Sequence, residues 1–301
     1  MNNFLRWLSG NKKTPASAQD VANTAPLSEQ QIQAIVNNQN PRFDLQQLVA
    51  SCGQSVGKQR ELNEDSVLAI TTTMAGNTGN LPFGLYIVAD GMGGHQFGEV
   101  ASNAAIRTVA GYILRKFHSY LFHIKAGTMD ESFQEIMQSA VNEAQRAIQR
   151  EAPGSGTTLT AALVLGQQIT MAHVGDSRAY FVYPDGRIEP LTRDHSLVKR
   201  LEELGHITHD EAANYPHRNV LYRALGQGEI LDPDIFTVGF PQPGYLMICS
   251  DGLWGVITEQ DLVRAINEAS SLQRACQNLV NAANAAGGPD NISVVLVQLI
   301  G

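Results

Sequence analysis

Gly84-Leu85-Tyr86-Ile87-Val88-Ala89-Asp90-Gly91-Met92-Gly93-Gly94 sets the reading of this chain. Six apolar residues in a row predict a buried β-strand, and Asp90-Gly91 marks its end. The arrangement recurs. Tyr245-Leu246-Met247-Ile248-Cys249-Ser250 is a second such run, closed by Asp251-Gly252. Ile169-Thr170-Met171-Ala172-His173-Val174 is a third, followed by Gly175-Asp176-Ser177-Arg178. Asp290-Asn291 stands before the last apolar run, after Gly287-Gly288-Pro289. Arg60 and Asn63-Glu64-Asp65 precede a run that opens at Ser66.

A single Asp-Gly pair reads most often as a hairpin turn. Acids at the ends of several strands can instead meet on one edge of a sheet sandwich. Aspartates gathered there repel one another and require a cation. Oxygen ligands alone suit Mg²⁺ or Mn²⁺. The glycine-rich stretch after Asp90 does not read as a nucleotide loop, because Gln96 replaces the third glycine of G-x-G-x-x-G. Gly154-Ser155-Gly156-Thr157-Thr158 lacks the lysine of a P-loop. These glycines read better as places where backbone approaches a metal or substrate closely, with the Gly91 carbonyl a candidate ligand.

Outward from these sites, strand runs are expected at 66–72, 84–89, 158–165, 169–174, 179–183, 245–249 and 292–299. Gly166-Gln167-Gln168 and Pro184-Asp185-Gly186 predict hairpin turns, and the close spacing predicts antiparallel sheets. Ala101, Ala104, Ala105, Thr108, Val109 and Tyr112 form a helical stripe, as do Phe133, Ile136, Met137, Ala140, Ala144 and Ile148. Further helices are expected after Thr258 and over 272–286. Each stripe needs a sheet face, so the architecture predicted is two packed sheets with helices on their outer faces. Thr208 and Glu211 form a capping box within a His-containing insert at about 195–225. Residues 9–26 read as a linker, and Ser28 with Gln31 predicts a short helix to about Asn38, which Pro41 ends. The division expected is an N-terminal extension over 1–45 and one globular domain over 46–301.

Composition sets outer limits. The chain has 301 residues, 43% of them apolar and 17% charged, which suits a globular domain with a sizeable core. A net charge of −8 argues against nucleic acid as a partner. Three scattered cysteines, Cys52, Cys249 and Cys276, supply neither a disulfide framework nor a zinc site and fit a reducing compartment. No run approaches the ~20 apolar residues of a membrane span. Phe4-Leu5-Arg6-Trp7-Leu8 is too short for a signal-peptide core.

Taken in order, the motifs resemble a known family. They are Arg60 with Asn63-Glu64-Asp65, Asp90-Gly91-Met92-Gly93-Gly94-His95, Ser155-Gly156-Thr157-Thr158, Gly175-Asp176-Ser177-Arg178, Ser250-Asp251-Gly252-Leu253-Trp254 and Gly288-Pro289-Asp290-Asn291. Over about residues 48–300 the chain is similar to the PPM family, the PP2C-type serine/threonine protein phosphatases, in its bacterial form. The resemblance implies an α+β fold, a four-layer α-β-β-α sandwich of two antiparallel sheets flanked by helix pairs. It implies two Mn²⁺ or Mg²⁺ ions, with a third in bacterial members. By motif position, Asp90 bridges the metals, the Gly91 carbonyl binds one, and Asp251 and Asp290 complete the centre. Glu64 and Asp65 match the acidic pair that binds metal or holds its water, and Asp176 with Asp251 matches the third site. Arg60 matches the arginine that binds substrate phosphate, so the implied catalytic set is Arg60, Asp65 and Asp90. The implied reaction is direct attack on phosphorus by a metal-bridging hydroxide, with no phosphoenzyme. No Cys-x5-Arg frame exists for a thiol mechanism. Animal members carry His after the Asp-Gly pair; here it is Met92, with His95 three residues on, so the general acid is open. The 195–225 insert, near which His195, His206, His209 and His217 cluster, resembles a flap beside the cleft. A cytoplasmic, monomeric enzyme is expected, acting on phosphorylated proteins opposite a Ser/Thr kinase, with no integral membrane segment. A pseudophosphatase that only captures phosphoproteins is the rival reading, and a stress-response phosphoprotein is the rival substrate.

Overall fold

The computed structural model describes residues 45–301 except 77–78, 94–96, 123–129, 209–210, 213–214, 217–218 and 229–230. The linker at 9–26, the helix from Ser28, and His95, His209 and His217 lie outside the described residues. Eleven strands form two antiparallel sheets. One runs in the order β1 (Gln47–Ser55), β11 (Ile292–Ile300), β10 (Tyr245–Cys249), β7 (Arg178–Val182), β8 (Ile188–Pro190). The other runs β2 (Asp65–Gly76), β3 (Gly79–Met92), β5 (Leu159–Leu165), β6 (Gln168–Val174), β9 (Asp234–Gly239), with β4 (Gly156–Thr157) paired to the end of β3.

Three apolar cores make four layers. Alternate side chains of a strand face opposite ways. In β3, Phe83, Leu85, Ile87 and Ala89 pack under α1 (Gly98–Phe122) and α2 (Phe133–Glu151), while Tyr86 and Val88 face the other sheet. In β11, Ile292, Val294 and Leu296 pack under α5 (Glu259–Asn267) and α6 (Leu272–Ala285), while Val295, Val297 and Leu299 face inward. The helices α3 (Leu197–Glu203) and α4 (Asp251–Trp254) lie between strands in the chain. The α+β four-layer sandwich expected from the sequence is the one observed.

Some local expectations are corrected. Asp90-Gly91 does not end a strand: β3 continues through both to Met92, with Asp90 opposite Asp65 and Gly91 opposite Thr157. The strand expected over 158–165 is β5, which begins at Leu159, and the two-residue β4 before it is an addition. Strands β1, β8 and β9 were not anticipated, because 47–55 and 234–239 mix polar and apolar residues at sheet edges, and β8 has three residues. The capping box expected at Thr208/Glu211 forms, with Glu211 N–H donating to Thr208 Oγ1 at 3.3 Å and Thr208 N–H to Glu211 Oε2 at 2.8 Å, and a second box, Ser132/Glu135, opens α2.

At one end of the sandwich the inward-facing positions turn polar. Continuing the alternation past the apolar residues brings Asp65, Asp90, Thr158, Thr160, His173, Ser177, Ser250 and Ser293 onto the inter-sheet side. His173 is fully buried there: its Nε2–H donates to the Arg193 carbonyl at 3.0 Å and Nδ1 faces the Thr160 hydroxyl at 2.9 Å. Burial, with His195 beside it, pushes His173 down to about 4. Its folded-state value lies below the unfolded value, so the unfolded chain takes up the proton first. The stability is whole above about pH 7 and is lost as pH falls from about 6.5 toward 4. Urea unfolding at pH 7 and pH 5 is expected to show wild type losing about 2 kcal/mol more than His173→Gln over that interval; equal losses in the two proteins would refute the assignment.

Candidate metal centre

Asp65 and Asp90 stand directly opposite each other on neighbouring antiparallel strands. Like charges in that position repel. Asp251, at the start of α4, and Asp176, in the β6–β7 connection, add charge around them, and Asp290 lies near enough to act on Asp65, Asp90 and Asp251. The structure therefore brings together five carboxylates that the sequence scatters over 226 positions, from Asp65 to Asp290.

Their protonation reflects the crowding. Burial first, then the charges of Asp251 and Asp290, push Asp65 up to about 7 against the lowering effect of Ser293 and Ser250. Burial and four neighbouring aspartates hold Asp90 well above the ordinary carboxylate range. Asp176 is raised by burial and Asp251, and Asp251 by burial and Asp290, with a hydrogen bond from Asp90 opposing. Asp90 and Asp251 are each partly exposed, and Asp251 lines the cleft. Asp65 Oδ1 and Asp251 Oδ1 are buried with no hydrogen-bond partner. Two orphaned carboxylate oxygens in one all-oxygen cluster fit a hard divalent cation, which removes both the repulsion and the missing partners. Among the described residues no three of these groups are already closed onto a single point; the fit rests on donor chemistry and orphaned oxygens.

The backbone under these acids is fixed on both sides. Asp90 N–H donates to Thr158 Oγ1 at 2.9 Å, and its carbonyl accepts Thr158 N–H at 2.8 Å and the Thr157 hydroxyl at 2.9 Å. Thr158, the residue between β4 and β5, thus leaves the ladder and holds Asp90. The Ser250 hydroxyl donates to Asp65 Oδ2 at 2.8 Å and accepts Ser293 N–H at 2.9 Å. Glycine is required at two close approaches. A Cβ on Gly91 would lie 2.2 Å from the Gly98 carbonyl, and one on Gly252 would lie 2.0 Å from that of Asn291. Glu64 reaches Gly98 at the start of α1, its own carbonyl accepting Gly91 N–H at 3.2 Å and the Ser102 hydroxyl at 2.6 Å. Burial pushes Glu64 up despite Arg60.

Arg60 stands beside the acids in an ion pair of its own. Its Nη2 pairs with Asp290 Oδ2 at 2.7 Å, about half exposed at the mouth of the site. Such an exposed pair is weak and readily exchanged for another anion. Trp254, Arg178, Asp194 and Asn291 also shape the site, and no spacing rule singled out their roles. Asn291 ties the 56–64 loop to β11: its Oδ1 accepts Glu64 N–H at 2.8 Å, and its Nδ2 donates to Val56 and Leu62 carbonyls at 2.8 and 2.9 Å. A cleft of about 520 Å³ is lined by Arg60, Asp176, Asp251 and Asp290 together with Asp194, Ser196 and Lys199.

Known proteins resemble this chain in sequence and fold. A family model described as protein phosphatase 2C matches residues 52–291. A serine/threonine phosphatase, stp, of Listeria welshimeri is 35% identical over 243 residues, covering 80% of this chain and 92% of that protein. Protein phosphatase PhpP of Streptococcus pneumoniae is 33% identical over 247 residues, covering 81% and 94%. The serine/threonine phosphatase PstP/Ppp of Mycobacterium tuberculosis superposes with a TM-score of 0.70 at 30% identity, over 85% of this chain and all of that one. The catalytic domain of PstP in complex with two manganese ions superposes at 0.67 with 29% identity, over the same shares. Fold and matches together define a protein phosphatase, an enzyme of the serine/threonine class. The chain belongs to the protein phosphatase 2C family.

Because Asn291 holds the loop that carries both Arg60 and Glu64, Asn291→Ala is expected to cost about 2–4 kcal/mol of stability. Chemical denaturation checks this; a loss below about 0.5 kcal/mol would show that the loop is held by other contacts.

Proposed function

We propose that the chain hydrolyses phosphoserine and phosphothreonine in proteins at this acid cluster. One observation carries the proposal: buried aspartates of opposed strands and loops, two with orphaned oxygens, meet at the open end of the sandwich. Asp90, Asp251, Asp290, the Gly91 carbonyl, Glu64 and Asp65 would hold two divalent cations, Mn²⁺ or Mg²⁺, and Asp176 with Asp251 would hold a third. The two manganese ions of the PstP complex support the count. When bound, such ions would lower the pKa of water toward neutrality and neutralise charge on a phosphoryl group, the chemistry that direct hydrolysis without a phosphoenzyme would need.

The chain's own residues do the rest. Arg60, released from Asp290, is the cation at the cleft mouth that holds the phosphoryl oxygens. Thr157 and Thr158 fix Asp90, and Ser250 fixes Asp65, so that the acids do not reorganise during the reaction. Met92 supplies no proton, so leaving-group protonation falls to water in the cleft. Ser196, Val198 and Lys199 of the 195–225 segment line the same cleft as the acids, and the segment acts as a flap that sorts protein substrates. The globular domain spans 46–301, behind an extension over 1–45. Among the described residues no helix is long and apolar enough to cross a membrane. Cys52, Cys249 and Cys276 are free, which supports a reducing compartment, and the enzyme works there on the products of a protein kinase.

Purified protein with Mn²⁺ is expected to hydrolyse p-nitrophenyl phosphate and phosphothreonine peptides. Asp90→Asn and Asp251→Asn should each lower kcat at least about 100-fold, and Arg60→Ala should mainly raise KM. Failure of wild type on both substrates would leave the phosphoprotein-binding alternative. Full activity in Asp251→Asn would remove that residue from the centre.

A further inference from the structure

Arg178 stands at the start of β7, opposite Cys249 of β10, two residues before Asp251. Its guanidinium makes three separate engagements. Nε and Nη2 donate to the two carboxylate oxygens of Asp194 at 2.9 and 2.7 Å, a bidentate fork on a buried partner. Nη1 donates to the Tyr180 hydroxyl at 3.1 Å. The plane lies over the Trp254 ring, 3.4 Å from its centroid. Trp254 in turn donates its indole N–H to the Asp176 carbonyl at 3.0 Å, and it closes the short helix that Asp251 opens.

Asp194 is the root of the 195–225 segment. The next residue, His195, donates its N–H to the Gly175 carbonyl at 2.7 Å and accepts Gly175 N–H on Nδ1 at 3.2 Å. Ser196 then bridges Leu221, and Leu197 N–H reaches the Val220 carbonyl at 2.8 Å, so both ends of the segment are gathered beside Asp194. Arg178, Asp194 and Trp254 all line the cleft. One side chain thus grips the root of one cleft wall with its fork and the base of the other through its stacked face.

We infer that Arg178 is a positioning residue for protein substrates: it sets the root of the 195–225 segment, through Asp194, against the Asp176–Asp251 edge, through Trp254. The inference rests on the phosphatase reading of the site. It touches no reacting atom. A small aryl phosphate needs only the acids and Arg60, whereas a phosphopeptide also spans the wall that Arg178 holds, so the two substrates separate this role from a general one. Lysine keeps the charge but has neither the planar fork nor the stacking face. Asp194→Asn keeps the shape of the partner and removes its charge.

The test is steady-state kinetics of Arg178→Lys, Asp194→Asn and the double variant with Mn²⁺, on p-nitrophenyl phosphate and on a phosphothreonine peptide. Each single variant is expected to raise KM for the peptide about tenfold while kcat for the aryl phosphate stays within about twofold. The double variant is expected to be no worse than the poorer single one, because both break one link. Equal losses on both substrates, no loss on either, or additive losses in the double variant would each overturn the inference. If Arg178→Lys does not fold, the isosteric Asp194→Asn alone decides by the same split. A wild type inactive on both substrates would instead refute the underlying phosphatase reading.

Discussion

The structure depends on the repulsion among carboxylates buried at one end of the sandwich. Asp65 and Asp90 face each other across a strand pair, and Asp176, Asp251 and Asp290 surround them. A cluster of this kind is costly in a folded protein unless protons or cations share its charge. The rest of the molecule can be understood as the frame that keeps these groups together. Thr157 and Thr158 hold the Asp90 backbone, Ser250 holds the Asp65 carboxylate, and Asn291 holds the loop that brings Glu64 and Arg60. Stability spent at the acid end is recovered in the apolar cores between the sheets and beneath α1, α2, α5 and α6.

Period-two alternation is what turns a core into a site. In β3, Tyr86 and Val88 belong to the inter-sheet core, and the next position of the same parity is Asp90. In β2, Val67 is followed backward by Asp65; in β10, Leu246 and Ile248 lead to Ser250. The same geometry that buries aliphatic side chains between the sheets therefore delivers oxygen ligands to their common end. Close backbone packing at Gly91 and Gly252 then lets the loops on each side converge.

Much of this was legible in the sequence, for identifiable reasons. Long apolar runs gave the central strands, because strands buried on both faces contain few polar residues. Amphipathic stripes gave α1 and α2, and the order of the acidic motifs gave the family. Edge strands β1, β8 and β9 escaped because half-exposed strands mix residue types and carry no continuous signal. Asp90-Gly91 was misplaced at a strand end because the preference of Asp-Gly for turns is local. Here a tertiary contact, the close approach of Gly91 to Gly98, overrides it. The Arg60–Asp290 pair and the Arg178–Asp194–Trp254 assembly join residues that are far apart in sequence, which no periodicity encodes.

The central claim is that the folded chain holds charge at this cluster which a divalent cation neutralises. Thermal unfolding against Mn²⁺ concentration tests it without reference to catalysis, because a cation bound only by the folded state raises Tm steadily as its concentration exceeds the dissociation constant. The account predicts a Tm that climbs with the logarithm of Mn²⁺ concentration in wild type and a much flatter response in Asp90→Asn. A Tm independent of Mn²⁺, or an equal rise in both proteins, would contradict it.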